Sequence, residues 1–328
     1  MKRLRRVSGP GDPVITEAAA LLRAGRLVAF PTETVYGLGA DGLNPEAVAR
    51  IYAAKGRPAT NPVILHVADP DSARALVDRW PAEAQALVDR FWPGPLTLVL
   101  PASELVPSIV RAGGPSVALR CPAHPVALAL IRAVGRPLAA PSANRSQHLS
   151  PTRAEHVASS LGPAVELVLD AGPTAAGLES TILDLSGARP RILRPGPIPP
   201  AELAAILGEV ELWEGAVKAG EAQPAPGMAE RHYAPRARLE LVPRGAGPGP
   251  GVGRTAYVAL GSLPALPPGL HAVLLPLDAE AVGARLFALL HDLDEAGFER
   301  VVMECPPEDE AWMAVRDRLR RASAKEDS

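Results

Sequence analysis

Cysteine is nearly absent: Cys121 and Cys305 are the only two in 328 residues. Two thiols that far apart supply neither a disulfide framework nor a zinc ribbon, and a reducing compartment is the simple reading. Lysine is scarce as well, with Lys2, Lys55, Lys218 and Lys325 set against thirty arginines. The formal charge is only −2, which argues against a protein that coats nucleic acid by bulk electrostatics and leaves any anion site to be local. No apolar run approaches the length of a membrane span. The basic start MKRLRRVSG leads into no apolar stretch of secretory type, because Asp12, Glu17, Arg23 and Arg26 interrupt it. No His/Cys cluster has metal-ligand spacing, and no GxSxG or Cys/His pair announces a covalent nucleophile. These absences leave a soluble cytoplasmic protein as the expectation.

What is present is a chain long enough for two domains and 47% hydrophobic, ample for buried cores. Thr16 to Ala24 reads as a helix closed by Gly25, and Leu27 to Phe30 as a strand stopped by Pro31. That places Thr32, Glu33, Thr34 and Tyr36 just past a strand's carboxyl end, where open α/β sheets bind ligands. A Gly-rich polar turn follows. Asn44 and Pro45 then cap a helix that ends near Gly56, leaving Lys55 and Arg57 at its exit before a strand, Val63 to Val67, that carries His66 back beside the first. Helical periodicity covers Ser72 to Asp78 and Ala82 to Phe91, and Pro125 to Val134 is a helix ended by Gly135. Strands are predicted at Leu96 to Leu100, Ser116 to Arg120, Leu138 to Ala140, Val165 to Leu169, Ser180 to Leu185 and Arg191 to Arg194. A last helix, Pro199 to Leu207, closes an α/β domain with a twisted mixed sheet over residues 8–207. Residues 208–236 read as a linker carrying the island PGMAERHYAP. From 237 to 328 the alternation restarts as a smaller Rossmann-like α/β domain.

Candidate site residues cluster after strands. Lys55 and Arg57, in KGRP, suit either the negative end of the preceding helix or a polyphosphate, and both readings stand at this point. Ser142 and Asn144, in PSAN, follow a strand two apart and so face one side, although such residues are also ordinary turn formers. Ser150 precedes Pro151 and Thr152 at an apparent helix start, where it serves as a cap or marks an anion seat. Arg120 and Arg194 each end an apolar strand. His66 lies on a strand between Leu65 and Val67, and Glu179, Ser180 and Thr181 begin another. Cations plus neutral hydrogen-bonders fit positional and electrostatic catalysis at phosphorus rather than acyl-enzyme chemistry.

Taken in order, PTETVYGLGAD, KGRPATNPVILHV, FWPGPLTLVL, VALRCPAHP, PLAAPSANRS with SPT, GLESTILD and RPGPI resemble the YrdC-type threonylcarbamoyl-AMP synthases. The second domain and the PGMAERHYAP island resemble that enzyme's longer, two-domain form. The resemblance implies a YrdC-like catalytic domain that uses ATP, L-threonine and bicarbonate, with Mg²⁺ accompanying the nucleotide and no metal held by the protein. It implies the products L-threonylcarbamoyl-AMP and pyrophosphate, the first of them handed to the machinery that makes threonylcarbamoyladenosine beside the tRNA anticodon. By motif, Lys55, Arg57, Ser142 and Asn144 look like the set facing the phosphates. Asn61, Ser116, Ser150, Arg194 and Tyr233 resemble further ATP contacts, and Thr34, His66, Arg120 and Ser180 resemble threonine contacts. The segment holding His232 and Tyr233 looks like the one that folds over the site. Departures from the family pattern fall at Gln147 and Ala171, each where a Gly is usual, and at Ala229. A rival of another class is an RNA-binding module without chemistry, which the acidic balance disfavours. Carbamoyl-transferring maturation factors share the nucleotide domain but carry zinc-binding cysteines that this chain lacks.

Overall fold

The computed structural model describes residues 4–213 and 223–324. The chain opens with β1 (Leu4–Arg6), α1 (Pro13–Arg23), β2 (Val28–Phe30), β3 (Gly37–Asp41), α2 (Pro45–Lys55) and β4 (Ile64–His66). It continues through α3 (Pro70–Arg74), α4 (Ala82–Phe91), β5 (Leu96–Pro101), β6 (Ser116–Arg120), α5 (Pro125–Val134) and β7 (Leu138–Ala139). Then come α6 (Ala154–Leu161), β8 (Leu167–Asp170), β9 (Thr181–Asp184), β10 (Arg191–Arg194), α7 (Pro200–Leu207) and β11 (Glu211–Leu212). The remainder holds β12 (Arg238–Val242), β13 (Thr255–Leu260), β14 (His271–Leu275), α8 (Ala279–Glu295), β15 (Arg300–Glu304) and α9 (Met313–Ser323).

Eleven strands form one mixed sheet in the order β1-β8-β2-β3-β7-β4-β6-β5-β9-β10-β11, and four parallel strands form a second, β12-β15-β13-β14. Helices α1 and α5 pack Ala18, Leu22, Leu130 and Ile131 on one face of the large sheet, while α2 and α4 bury Val48, Ile51, Leu87 and Val88 on the other. Val35, Leu149 and Leu178 from the first part and Tyr233 from the linker sit in the same apolar cluster as Phe287, Leu290 and Leu319 of the second. The two sheets are therefore tied together through a shared interior.

Local signals explain the elements that bear the site. Asn44 accepts hydrogen bonds from the amides of Glu46 and Ala47, Pro45 opens α2, and Gly56 ends it at φ 61°, a left-handed position that glycine takes without a steric penalty. The cationic KGR turn is thus a fixed helix exit. Helix α1 starts earlier than periodicity alone suggests, because Asp12 accepts from the Val14 amide at 3.0 Å and Pro13 holds the first helical position.

Three expectations need correction. The stretch read as a Gly-rich turn after Tyr36 is the buried strand β3. A Cβ on Gly39 would lie 2.8 Å from the Phe30 ring and 3.1 Å from the Val28 carbonyl oxygen, so this glycine serves close strand packing rather than a turn. His66 does not return beside the first strand, since β3 and β7 lie between β2 and β4. Ser150 caps no helix: α6 begins four residues later with Arg153 at its cap position and no side-chain cap bond, because the Ser150 hydroxyl is bonded to Glu179 instead. We expect Gly39→Ala to overpack the β2–β3 pair and cost about 1–3 kcal/mol of stability, visible as a lowered melting temperature. An unchanged melt would contradict that packing.

Candidate functional site

The carboxyl ends of β2, β4, β6, β7 and β10 converge on one cavity of about 50 Å³, walled by Thr32, Thr34, Arg57, His66, Arg120, Ser142, Glu179, Ser180 and Arg194. Pro226, Gly227, His232 and Tyr233 close it from the linker side. Its opening is roomy enough for a few waters rather than a large ligand.

One end is built around Arg120 on β6. Its Nη1 donates to Thr34 Oγ1 at 2.8 Å and its Nε to the Gly94 carbonyl at 3.3 Å. Its Nη2 lies 2.7 Å from Glu33 Oε1, but among the described residues both atoms lack a partner in hydrogen-bond geometry, so this is an ion pair rather than a hydrogen bond. Thr34 is braced by Thr32, their hydroxyls 2.8 Å apart. His66, one strand over and directly paired with Arg120 in register, stands edge-on to Phe30 with ring centres 6.4 Å apart. Its Nδ1 is buried without a hydrogen-bond partner among the described residues. Burial, reinforced by the Arg120 charge, pushes the His66 pKa down to about 3, so the ring is neutral at physiological pH. Ser180 faces the same end, its hydroxyl 2.8 Å from that of Thr97.

The other end is cationic. Arg57 is locked by Nε donating to the Asn61 carbonyl at 3.0 Å and Nη2 donating to Asn61 Oδ1 and the Pro62 carbonyl, each at 2.5 Å. Arg194 donates from Nε and Nη2 to the Ser180 carbonyl at 3.1 and 3.0 Å, and from Nη2 to Ser180 Oγ at 3.1 Å. Burial lowers the pKa of both arginines, Arg57 to about 10. Several desolvated cations crowded together are under electrostatic stress that a polyanion relieves.

Lys55 plays a different part from the one its motif suggested. Its ammonium donates to the carbonyls of Ser142 and Asn144 at 2.5 Å each and to Asn144 Oδ1 at 3.4 Å. All three of its donors have partners, so Lys55 holds the SAN turn in place instead of lining the cavity. Burial, with Arg57 adding to it, lowers its pKa well below the ordinary lysine value. Asn144 is likewise a brace, its Nδ2 donating to the carbonyls of Arg145 and His148. The KGR and SAN turns nonetheless meet. Gln147 takes φ 70°, a left-handed conformation that favours glycine. Its carbonyl accepts the Ala234 amide at 2.9 Å, binding the SAN loop to the linker beside Tyr233.

Of the residues singled out from sequence, Thr34, Arg57, His66, Arg120, Ser142, Ser180, Arg194 and Tyr233 line the cavity, whereas Lys55, Asn61, Ser116, Asn144 and Ser150 do not. Asn61 supports Arg57. Ser116 opens β6 at the end opposite Arg120, on the order of 13 Å along the strand. Thr97 and Arg318 escaped notice. Arg318 had a readable signal: Val315, Leu319 and Ala322 set the apolar face of α9 at helical spacing, and an arginine beside that stripe must find a buried partner. Among the described residues no group of three or more His, Cys, Asp or Glu is placed to hold a metal ion.

The buried histidines set an acid limit. His66 and His156 are pushed down to about 3 and His291 to about 4, each chiefly by burial. Below about pH 6.5 the unfolded chain takes up protons that the folded chain refuses, so stability falls as pH drops through that window. Melting temperature should decline steadily from pH 6.5 to 4, and less steeply in His66→Gln. A flat profile would show these rings to be protonated in the fold.

Residues 20–196 match a family model described as "Telomere recombination", the Sua5/YciO/YrdC family, and residues 198–324 match one described as "Threonylcarbamoyl-AMP synthase, C-terminal domain". The chain is 42% identical over 322 residues to a threonylcarbamoyl-AMP synthase of Pyrococcus abyssi, covering 93% of both proteins. It is 49% identical over 231 residues to a Bacillus subtilis protein of the same name, covering 70% of this chain and 67% of that one. Its fold is similar to the crystal structure of P. abyssi Sua5 complexed with L-threonine, with a TM-score of 0.87 at 40% identity, covering 98% of this chain and 97% of that one.

Proposed function

This chain belongs to the YrdC-type threonylcarbamoyl-AMP synthase family, and on that premise we propose that it joins L-threonine, bicarbonate or CO₂, and ATP into L-threonylcarbamoyl-AMP and pyrophosphate. The observation that carries this reading is one buried cavity that gathers the hydroxyls of Thr34 and Ser180, the neutral His66 ring and the cations Arg120, Arg57 and Arg194. An amino acid and a polyphosphate ask for that combination.

In the reaction we propose, the threonine nitrogen takes up CO₂ to give a carbamate, losing a proton. A carbamate oxygen then forms a bond to the α-phosphorus as the bond to the departing pyrophosphate breaks. Two anions must approach, so charge has to be cancelled and the reactants aligned. Arg120 would receive the threonine carboxylate, with Thr34 and Ser180 as hydrogen-bonders and the neutral His66 ring as a partner that adds no charge. Arg57 and Arg194 would meet the nucleotide, and Lys55 would act through the SAN turn it holds. Mg²⁺ would arrive bound to the triphosphate: Glu33 and Glu179, the carboxylates at hand, are each paired with an arginine, which does not fit a protein-held metal. The cavity is small while Pro226, Gly227, His232 and Tyr233 stand in its wall, so nucleotide entry requires that segment to move. We place the reaction in the cytoplasm, with the product passed to a partner that modifies tRNA.

The deciding assay is pyrophosphate release from ATP. Release that requires both L-threonine and bicarbonate supports the reading; release independent of threonine, or salt-sensitive RNA binding without release, overturns it.

A further inference from the structure

We propose that Arg318, on the last helix of the second domain, is a positioning residue for the nucleotide end of the site: by neutralising Glu179 it keeps Arg194 available to the triphosphate. The inference rests on the reading above and assigns the C-terminal domain a direct part in it.

Arg318 is completely buried and reaches out of α9 into the first domain. Its Nε donates to Glu179 Oε2 at 2.7 Å and its Nη2 to the Pro195 carbonyl at 3.0 Å. Glu179 and Pro195 are the chain neighbours of Ser180 and Arg194, whose mutual hydrogen bonds set the direction of the Arg194 guanidinium. One side chain from the second domain therefore holds both strand ends that carry this pair. Its Nη1 donates to Asp317 Oδ2 at 2.7 Å, and its guanidinium carbon lies 5.0 Å from the centre of the Tyr233 ring, so it also supports the aromatic ring that closes the cavity.

The charge of Glu179 makes this more than packing. A carboxylate in the wall of an anion-binding cavity repels the ligand and attracts the cations meant for it. Glu179 acts electrostatically on Arg194, so without a dedicated partner it competes with the triphosphate for that guanidinium. Ser150 donates to its other oxygen, completing its coordination away from the ligand. Burial alone would disfavour a charged Arg318, but Tyr233, Glu179 and Asp317 outweigh that and hold its pKa up. Arg318 therefore keeps its charge at any working pH.

The test compares full-length wild type, Arg318→Met, Glu179→Gln and the double variant in threonine-dependent pyrophosphate release, with KM measured separately for ATP and threonine and folding checked by thermal melting. We expect Arg318→Met to raise KM for ATP on the order of tenfold with a much smaller change for threonine. In the Glu179→Gln background, where the charge beside Arg194 is already gone, the same substitution should leave KM for ATP nearly unchanged. An equal rise in both backgrounds, or none in either, overturns the proposal. Should Arg318→Met fail to fold, Arg318→Lys, which keeps the charge, is expected to stay near wild type in KM for ATP, and a rise there equally overturns it. A wild-type enzyme showing no threonine-dependent release refutes the functional reading itself, before any variant is compared.

Discussion

Arg57→Ala should lower kcat/KM for ATP by about 10²–10³-fold, the loss expected when one preorganised donor to developing charge is removed. The expectation rests on how tightly the side chain is aimed. Two of its three nitrogens are bonded to Asn61 and Pro62, so the guanidinium enters the cavity already ordered and loses little entropy on meeting a phosphate. Arg57→Lys should recover little of the loss. An ammonium cannot span the Asn61 carbonyl, Asn61 Oδ1 and the Pro62 carbonyl while also facing the ligand. Asn61→Ala, which leaves the charge but removes one of its anchors, should fall between wild type and Arg57→Ala. Pyrophosphate release at saturating threonine measures all three variants, with circular dichroism to confirm folding. Near wild-type rates in Arg57→Ala would remove the cationic end from the mechanism.

Arg120→Ala should raise KM for threonine by about 10²-fold or more while KM for ATP changes little. Removing one partner of a buried pair leaves the other uncompensated, at a cost of about 3–5 kcal/mol, and here the abandoned group is the Glu33 carboxylate 2.7 Å away. A stray negative charge beside the place proposed for the threonine carboxylate repels it, so the loss exceeds that of a single hydrogen bond. Thr34 loses the 2.8 Å bond that orients its hydroxyl. The double variant Glu33→Gln with Arg120→Ala should regain stability, because the orphan charge is gone, but not threonine affinity. Calorimetric melting and threonine titration separate the two effects. Recovery of both would mean that Arg120 only balances Glu33, and parallel changes in the two KM values would dissolve the division of the cavity into two ends.

Among the described residues no helix is long and apolar enough to cross a membrane. Local chemistry was readable in detail elsewhere. Asn44, Pro45 and Gly56 bracketed α2, Pro125 and Gly135 bracketed α5, and β6 and β10 matched their apolar runs. The cavity-facing residues legible from motif and position were those at or just beyond strand ends, such as Arg120, Arg194 and Thr34. Short runs dense in glycine misled: GLGAD was read as a turn although it pairs antiparallel with β2, Val28 opposite Gly39, as strand β3.

By itself the sequence determined the caps, the helical and strand periods, the α/β class and the inventory of cations and hydroxyls, because each of these depends on residues within a few positions of one another. Only the tertiary structure decided which groups those cations meet. Lys55 is 87 positions from Ser142, and Arg318 is 139 from Glu179. Strand order brought these groups together, and a buried charge must take whatever oxygen lies within reach. Whether a lysine touches a ligand or holds the loop beside it is therefore settled by long-range packing, to which neither its motif nor its neighbours in the chain give access.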